Sequence, residues 1–365
     1  MKTSEAARGR VAVQRLRSLD PNQVAIRLSA PRVSARVSLR AAKVVCVLAI
    51  LIVVTVAVNV SVGQYTVPLV KVLPAMFGLS DRTTNFIVQT LRLPESLDAV
   101  LSGLAFGVSG AIFQSVTGNP LASPDVLGVE SGAAIAAVLI IVTVGSTARN
   151  VDVAALVGGL VAASAVYLLA YRRTGTSGYR LILIGISIAS ALTGITSYLL
   201  TRATLSTAQA AIVWLSGSLA NRGWTDLYPV EVALLVILPF APLMSRQLGA
   251  LQLGDDTAHG LGVHVEANRR ILLLGAAVLA AAATASAGPV LFVALVAPQL
   301  GRRLARTTSA ALMSAGLVGA ALMCSAELVG RVVPGSTDVP VGVITGILGA
   351  PYLLWFLARS DTSKA

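Results

Sequence analysis

Residues 251–270 read LQLGDDTAHGLGVHVEANRR, between the apolar runs PVEVALLVILPFAPLMS (229–245) and ILLLGAAVLAAAATASA (271–287). Seven ionisable residues, Asp255, Asp256, His259, His264, Glu266, Arg269 and Arg270, gather in this one stretch. It is too polar to lie in hydrocarbon, where one charged side chain at the bilayer centre costs about 2.5–3.5 kcal/mol or more. It is also too short to build a core of its own. A polar island between two membrane-length runs is a surface loop, and one this ionic is suited to meeting another protein.

The rest of the chain agrees. Of 365 residues, 55% are hydrophobic and only 12% charged, against about 25% charged in soluble domains. Apolar runs recur at 44–62, 96–116, 127–144, 153–171, 181–200, 229–245, 271–287, 289–300, 309–329 and 341–358. Most approach the ~20 residues that cross ~30 Å of hydrocarbon. The expected fold is therefore an all-α polytopic membrane protein of about ten transmembrane helices. The run at 289–300, bounded by Pro289 and Pro298, is expected to be broken or partly re-entrant.

Lysine and arginine set the orientation. Ten crossings put both termini on one side, and that side receives 21 of the 28 basic residues, ten of them in the tail 1–43. Both termini are thus expected in the cytosol of a bacterial cell whose inner membrane the chain spans. The expected organisation is a basic N-terminal tail without fixed structure (1–43), a transmembrane domain (44–358) with its cytosolic loop at about 249–270, and a short C-terminal tail (359–365). The net charge of +12 is a topology signal. It is spread over loops, unlike the single basic face of a nucleic-acid binder. An Arg- and Ser-rich, acid-poor tail also describes a transit peptide; a segment held near anionic lipid heads is the simpler reading. No signal-peptide pattern precedes the first run, so that helix is expected to be retained.

Chemistry-bearing motifs are sparse. GxxxxGK[ST], GxSxG and HExxH do not occur, so neither a phosphate-binding loop nor a hydrolase site is encoded. Cys46 and Cys324 fall inside apolar runs, where free cysteine acts as a small hydrophobe. Asp98 and Glu327 are expected near the membrane interface. Proton-coupled carriers place carboxylates or histidines along their path, so their scarcity here points to another energy source. Asn119 and Ser123, each followed by proline, are expected to cap the turn that launches the third helix. In the fifth run, Ser187, Ser190, Gly194 and Ser197 recur at helical spacing with Thr193 beside them. Such a stripe either lines a path for a hydrophilic solute or bonds back to its own helix carbonyls.

Five segments in order carry a resemblance: LRLP (91–94), SGAIFQSVTGNPLASPDVLG (109–128), LGDDTAHGLGV (253–263), GPVLFVALVAPQLGRRL (288–304) and VPVGVITGILGAPYLLW (339–355). Together they resemble the FecCD-type permeases, the membrane subunits of bacterial ABC importers for ferric siderophores, haem and vitamin B12. SGAIFQS, SPDVLG and FVALVAPQ look most like the ferric-enterobactin-type permease partner subunit. The resemblance implies a vitamin-B12-permease-like (type II importer) bundle that pairs with a second permease, either a paralogue or itself. It implies two cytosolic ATPase subunits that use ATP and Mg, no cofactor on this chain, and a binding protein, lipid-anchored or periplasmic, that delivers a ferric siderophore. The alternative cargo is haem or a cobalamin. A secondary transporter or a membrane enzyme fits less well. By this carry-over Gly254, Asp255, Asp256, Ala258, Leu261 and Gly262 form the loop that couples to the ATPase. Gly254 would permit a sharp entry, Asp255 would cap a short helix, and Leu261 would anchor it. Arg92 and Arg331 match the positions that dock the binding protein. The next usual arginine is Glu95 here, which puts the usual docking charge in question.

Overall fold

The computed structural model describes residues 11–15, 23–28, 33–63, 65–145, 148–171, 178–306, 311–333 and 339–361. Its helices are α1 (Leu39–Ser61), α2 (Leu69–Met76), α3 (Arg82–Phe86), α4 (Leu93–Thr117), α5 (Val129–Thr143), α6 (Ala148–Ala170), α7 (Gly178–Arg202), α8 (Leu205–Leu215), α9 (Tyr228–Ile237), α10 (Ala241–Leu251), α11 (Asp255–Gly260), α12 (Val265–Ala287), α13 (Val293–Ala305), α14 (Leu312–Val332) and α15 (Val341–Asp361). Among the described residues, seven helical stretches are long and apolar enough to cross a membrane. Two of these are composite: α3 runs into α4 through Ile87–Arg92, and α9 continues into α10. The shorter apolar helices among the described residues are α5, α8 and α15; with α13 in the run at 289–300, each of the ten apolar runs has its helix. At 13 residues, α13 spans only about 20 Å. The non-helical stretch 288–292 ahead of it makes up the length, with Gly288 and Phe292 at positive φ.

The second rod begins at Arg82, well before the apolar run at 96. Pro94 has no N–H to donate. Just ahead of it the chain adopts a wider π-helical turn at Ile87–Arg92, and Leu93 N–H reaches back five residues to Val88 O. A π turn absorbs the register change without ending the helix. One consequence is that Asp98 lies deep within a long rod instead of one turn into a short one.

The tail departs from expectation. Val11–Arg15, Gln23–Leu28 and Val33–Ser38 form strands β1, β2 and β3, paired antiparallel in chain order. Val13 pairs with Ile26, and Ile26 with Ala35. Of the three segments only VSARVS (33–38) alternates apolar and polar residues with the period of two that a strand requires. β3 leads directly into α1, whose first turn is capped by the Ser38 hydroxyl accepting from Ala41 N–H at 3.1 Å.

Lipid offers no hydrophobic drive between helices, so close packing of small residues and inter-helix hydrogen bonds must hold the bundle. α4 is the central rod, buried along most of its length. A Cβ on Gly103 would come within 2.5 Å of Gly319 O, and one on Gly107 or Gly110 would overlap the carbonyls of Ala315 or Ala294. Polar stitches add to this: Ser109 donates to Ala276 O at 2.7 Å, Gln114 to Leu295 O at 2.9 Å and Asn59 to Cys324 O at 3.1 Å. The region 117–128 is a compact turn. Asn119 accepts from Leu121 N–H at 2.9 Å and the Ser123 hydroxyl donates to Asp125. Neither caps α5, contrary to expectation; the helix starts after Gly128, which holds φ 78°. That left-handed value is open to glycine at no steric cost.

Candidate functional sites at the two ends of the bundle

At the end of the bundle that the basic residues lead one to expect in the cytosol, α10 stops at Leu251 and the chain turns sharply through Gly254 (φ 94°) into α11, one and a half turns long. Val263 N–H bonds Ala258 O at 3.0 Å and Gly262 N–H bonds His259 O at 2.9 Å, with Gly262 at φ 78°. This pair of bonds with a left-handed glycine is a Schellman stop, so both glycines of the motif have a conformational reason. Asp255 does not cap α11. Its carboxylate accepts from Arg269 Nη2 at 2.7 Å, and Glu266 adds a second contact to Arg269 at 3.6 Å. Tyr167 on α6 donates to Glu266 at 3.1 Å. Arg269 is buried, so this charge set braces the short helix against α12 and α6. Ala258 is fully buried beneath it, while Leu253 and Leu261 stand 61% and 63% exposed. Asp256 is exposed. The loop therefore presents two leucines on a braced platform. Of the six expected loop residues, Ala258 serves the platform and Leu261 the presented face; Leu253 is the added anchor.

Beside this platform lies a polar cluster that motif reading did not single out. Arg302 donates to Gln114 Oε1 at 2.8 Å, Gln299 to Pro120 O at 2.9 Å and Gln252 to Ser115 Oγ at 3.1 Å. These bonds tie α13 to α4 and to the 117–128 turn, and the loop approach to α4. The available signal was the presence of two amides, Gln114 and Gln299, inside otherwise apolar helices.

At the opposite end of the bundle, both candidate docking arginines are turned into the protein. Arg92 is buried, and its guanidinium donates to the carbonyls of Val60 (2.8 Å), Ser61 (3.3 Å) and Tyr65 (2.5 Å). It clamps the end of α1 and the turn after it, so the structure does not place it on a docking face. A helix end leaves carbonyls without partners, and a buried one needs a donor. Arg92→Gln is expected to lower thermal stability, since each buried acceptor left unsatisfied costs about 1–3 kcal/mol. Binding-protein association of the folded fraction should stay unchanged; a selective loss of association without loss of stability would contradict the clamp.

Arg331 bonds Glu327 Oε1 through Nε at 3.1 Å and through Nη2 at 2.5 Å, and its Nη2 also bonds Glu95 Oε2. Glu95 in turn accepts from Asn221 N–H at 2.7 Å. Glu95, the departure from the family pattern, is thus the internal counter-charge of Arg331. Nearby, Asp98 accepts from Ser102 and Ser286 at 2.7 Å, and Ser286 also lies 2.9 Å from Asp226 O. Arg222 pairs with Asp152 at 3.0 Å. Asp98 and Glu327 are buried within the protein, 0% and 4% exposed. Helix packing surrounds them, and one oxygen of each carboxylate is hydrogen-bonded while the other, Asp98 Oδ2 or Glu327 Oε2, is buried without a partner.

Ser187, Ser190, Thr193, Gly194 and Ser197 form an exposed stripe on α7. Ser187, Thr193 and Ser197 donate to the carbonyls of Leu183, Ala189 and Thr193 at 2.8–3.0 Å. Gly194 has open space within 4 Å of where a Cβ would be. These three hydroxyls are thus satisfied within the helix, and the stripe faces out of the chain.

Residues 50–359 match the FecCD transport family. The chain is 41% identical to the ferric enterobactin transport system permease protein of Escherichia coli (strain K12), covering 83% of this chain and 91% of that one. It is 39% identical to the achromobactin transport system permease protein of Dickeya dadantii (strain 3937), over 86% and 90%. A cobalamin import system permease protein of Halobacterium salinarum is 35% identical, over 78% and 76%. Among solved structures, a metal-chelate type ABC transporter in an inward-facing conformation superposes with a TM-score of 0.74 at 25% identity, covering 87% of this chain and 99% of that one.

Proposed function

The chain belongs to the FecCD transport family, and on that premise we propose that it is the permease subunit of an ATP-driven importer carrying a ferric siderophore inward by alternating access. The observation that carries this reading is the braced platform at the inner end. Leu253 and Leu261 are presented where a cytosolic ATPase would meet the bundle, and an apolar anchor held on a rigid support is what force transmission needs. The ATPase would bind ATP and Mg; this chain supplies the coupling surface and half of the path. The exposed α7 stripe then faces a second permease across that path, its hydroxyls offering a hydrophilic wall to a polar chelate. The names of the two relatives above 38% identity favour a siderophore; the cobalamin relative keeps a corrin as the second cargo.

Uptake of radio-iron-labelled siderophores of several chemical types, in a deletion strain with and without the gene, tests the proposal. Loss of one type, restored by the gene, would establish both transport and cargo. Unaffected uptake of all types, in a strain with no redundant permease, would remove the siderophore and leave haem or cobalamin to be tried.

Docking of the binding protein on this subunit would run through Arg331 with Glu95 as a competitor. Glu95→Ala removes one internal partner of Arg331 and leaves Glu327. The expected result is association several-fold faster at low salt, the gain fading as the Debye length falls from about 10 Å at 0.1 M salt to 3 Å at 1 M. An association rate unchanged across the salt series would count against Arg331 as a contact.

A further inference from the structure

An apolar groove runs between α13 and α15, with a cavity of about 140 Å³ lined by Phe292, Val296, Leu300, Leu322, Leu348 and Tyr352. It opens outward past Leu348, which is 56% exposed. An apolar cavity of this size stays dry and takes hydrocarbon. Toward the inner end, Tyr352 stacks against Phe356 and tilts against Trp355. Such aromatics mark the headgroup level of a membrane. Arg303 lies 5.2 Å over both the Trp355 and Phe356 rings, with Arg302 before it and Arg306 at the helix end. Among the described residues no carboxylate pairs with any of these three arginines. The Tyr352 hydroxyl is a further unspent group, buried and without a hydrogen-bond partner.

We propose that this groove is a binding site for an anionic phospholipid, with an acyl chain in the cavity and its phosphate held by Arg303 and Arg306, within reach of the Tyr352 hydroxyl. The groove is apolar along its length and cationic where it ends, the same division of chemistry as in a lipid. Basic pockets between membrane helices on the cytosolic side bind anionic headgroups for this reason. The charge also decides between occupants. A second copy related by a two-fold axis along the membrane normal would bring the same arginines to the same depth, and like charges there repel. An anionic headgroup neutralises them.

The test is native mass spectrometry of the full-length permease released from bilayers of phosphatidylglycerol and phosphatidylcholine in equal amounts. The expected result is one retained phosphatidylglycerol per chain. Retention should fall at least tenfold in Arg303→Gln/Arg306→Gln, and in Val296→Trp, which fills the cavity from the other end. The arginine substitutions lie on exposed positions, so the first variant should fold even if the second does not. Equal retention of both lipids, or unchanged retention in the arginine variant, overturns the proposal. So does efficient cross-linking of Leu348→Cys to its counterpart on a second permease within the membrane, which would show that protein covers the groove.

Discussion

The double substitution Leu253→Asp/Leu261→Asp is expected to reduce ATP-driven uptake by a hundredfold or more while the permease remains inserted at normal levels. Burial of one leucine side chain is worth about 1.5–3 kcal/mol. Losing two such anchors, and placing two carboxylates where an apolar contact forms, removes several kcal/mol from ATPase association, and every 1.4 kcal/mol is a factor of ten. Both leucines point away from the chain's own core, so folding should be spared. Co-purification of the ATPase and uptake in the same cells give the two readouts. Normal stoichiometry together with normal uptake would sink the assignment of this loop. Arg269→Gln provides a graded companion. It leaves the leucines in place but takes the brace from Asp255 and Glu266, so a tilted platform should weaken coupling less than the loss of its anchors.

Gly110→Ala is expected to cost about 3 kcal/mol or more, and to leave little folded protein. Overpacking a well-filled interior by one methyl usually costs 1–3 kcal/mol where side chains can move aside. Here the obstacle is the Ala294 carbonyl of α13, part of a helix backbone that cannot yield locally. The control is Gly249→Ala on α10, where nothing lies within 4 Å of the new methyl. That change should be neutral or stabilising by about 0.5–1 kcal/mol, since alanine in a helix loses less entropy than glycine. Size-exclusion profiles and melting in detergent distinguish the two. Equal behaviour of both variants would mean that helix propensity, and not the contact between α4 and α13, governs tolerance at these glycines.

Amino-acid order alone determined the features that depend on one dimension. Membrane crossings follow from run length, because lipid forces each span to satisfy its own backbone. An expected orientation follows from counting lysines and arginines. The loop at 251–270 stood out because a polar island between apolar runs has only one place to be, outside the hydrocarbon. The sharp turn at Gly254 was legible for the same local reason.

What escaped the sequence was every role set by a distant partner. Arg92 and Arg331 read alike as outer-face arginines. Only folding brings Val60 and Tyr65 carbonyls to the first and Glu95 to the second, turning one into a clamp and the other into a paired charge. Hydropathy reads Asp98 and Glu327 only by their distance from lipid, so the serine and arginine partners they meet inside the protein were not legible. Asp255 read as a cap, yet Arg269, fourteen residues on, offered a full charge to its carboxylate. A side chain's chemistry is written in the chain, but which opposite charge or vacant carbonyl lies within 3 Å of it is decided by packing, and in a bundle held by close contact that decides its use.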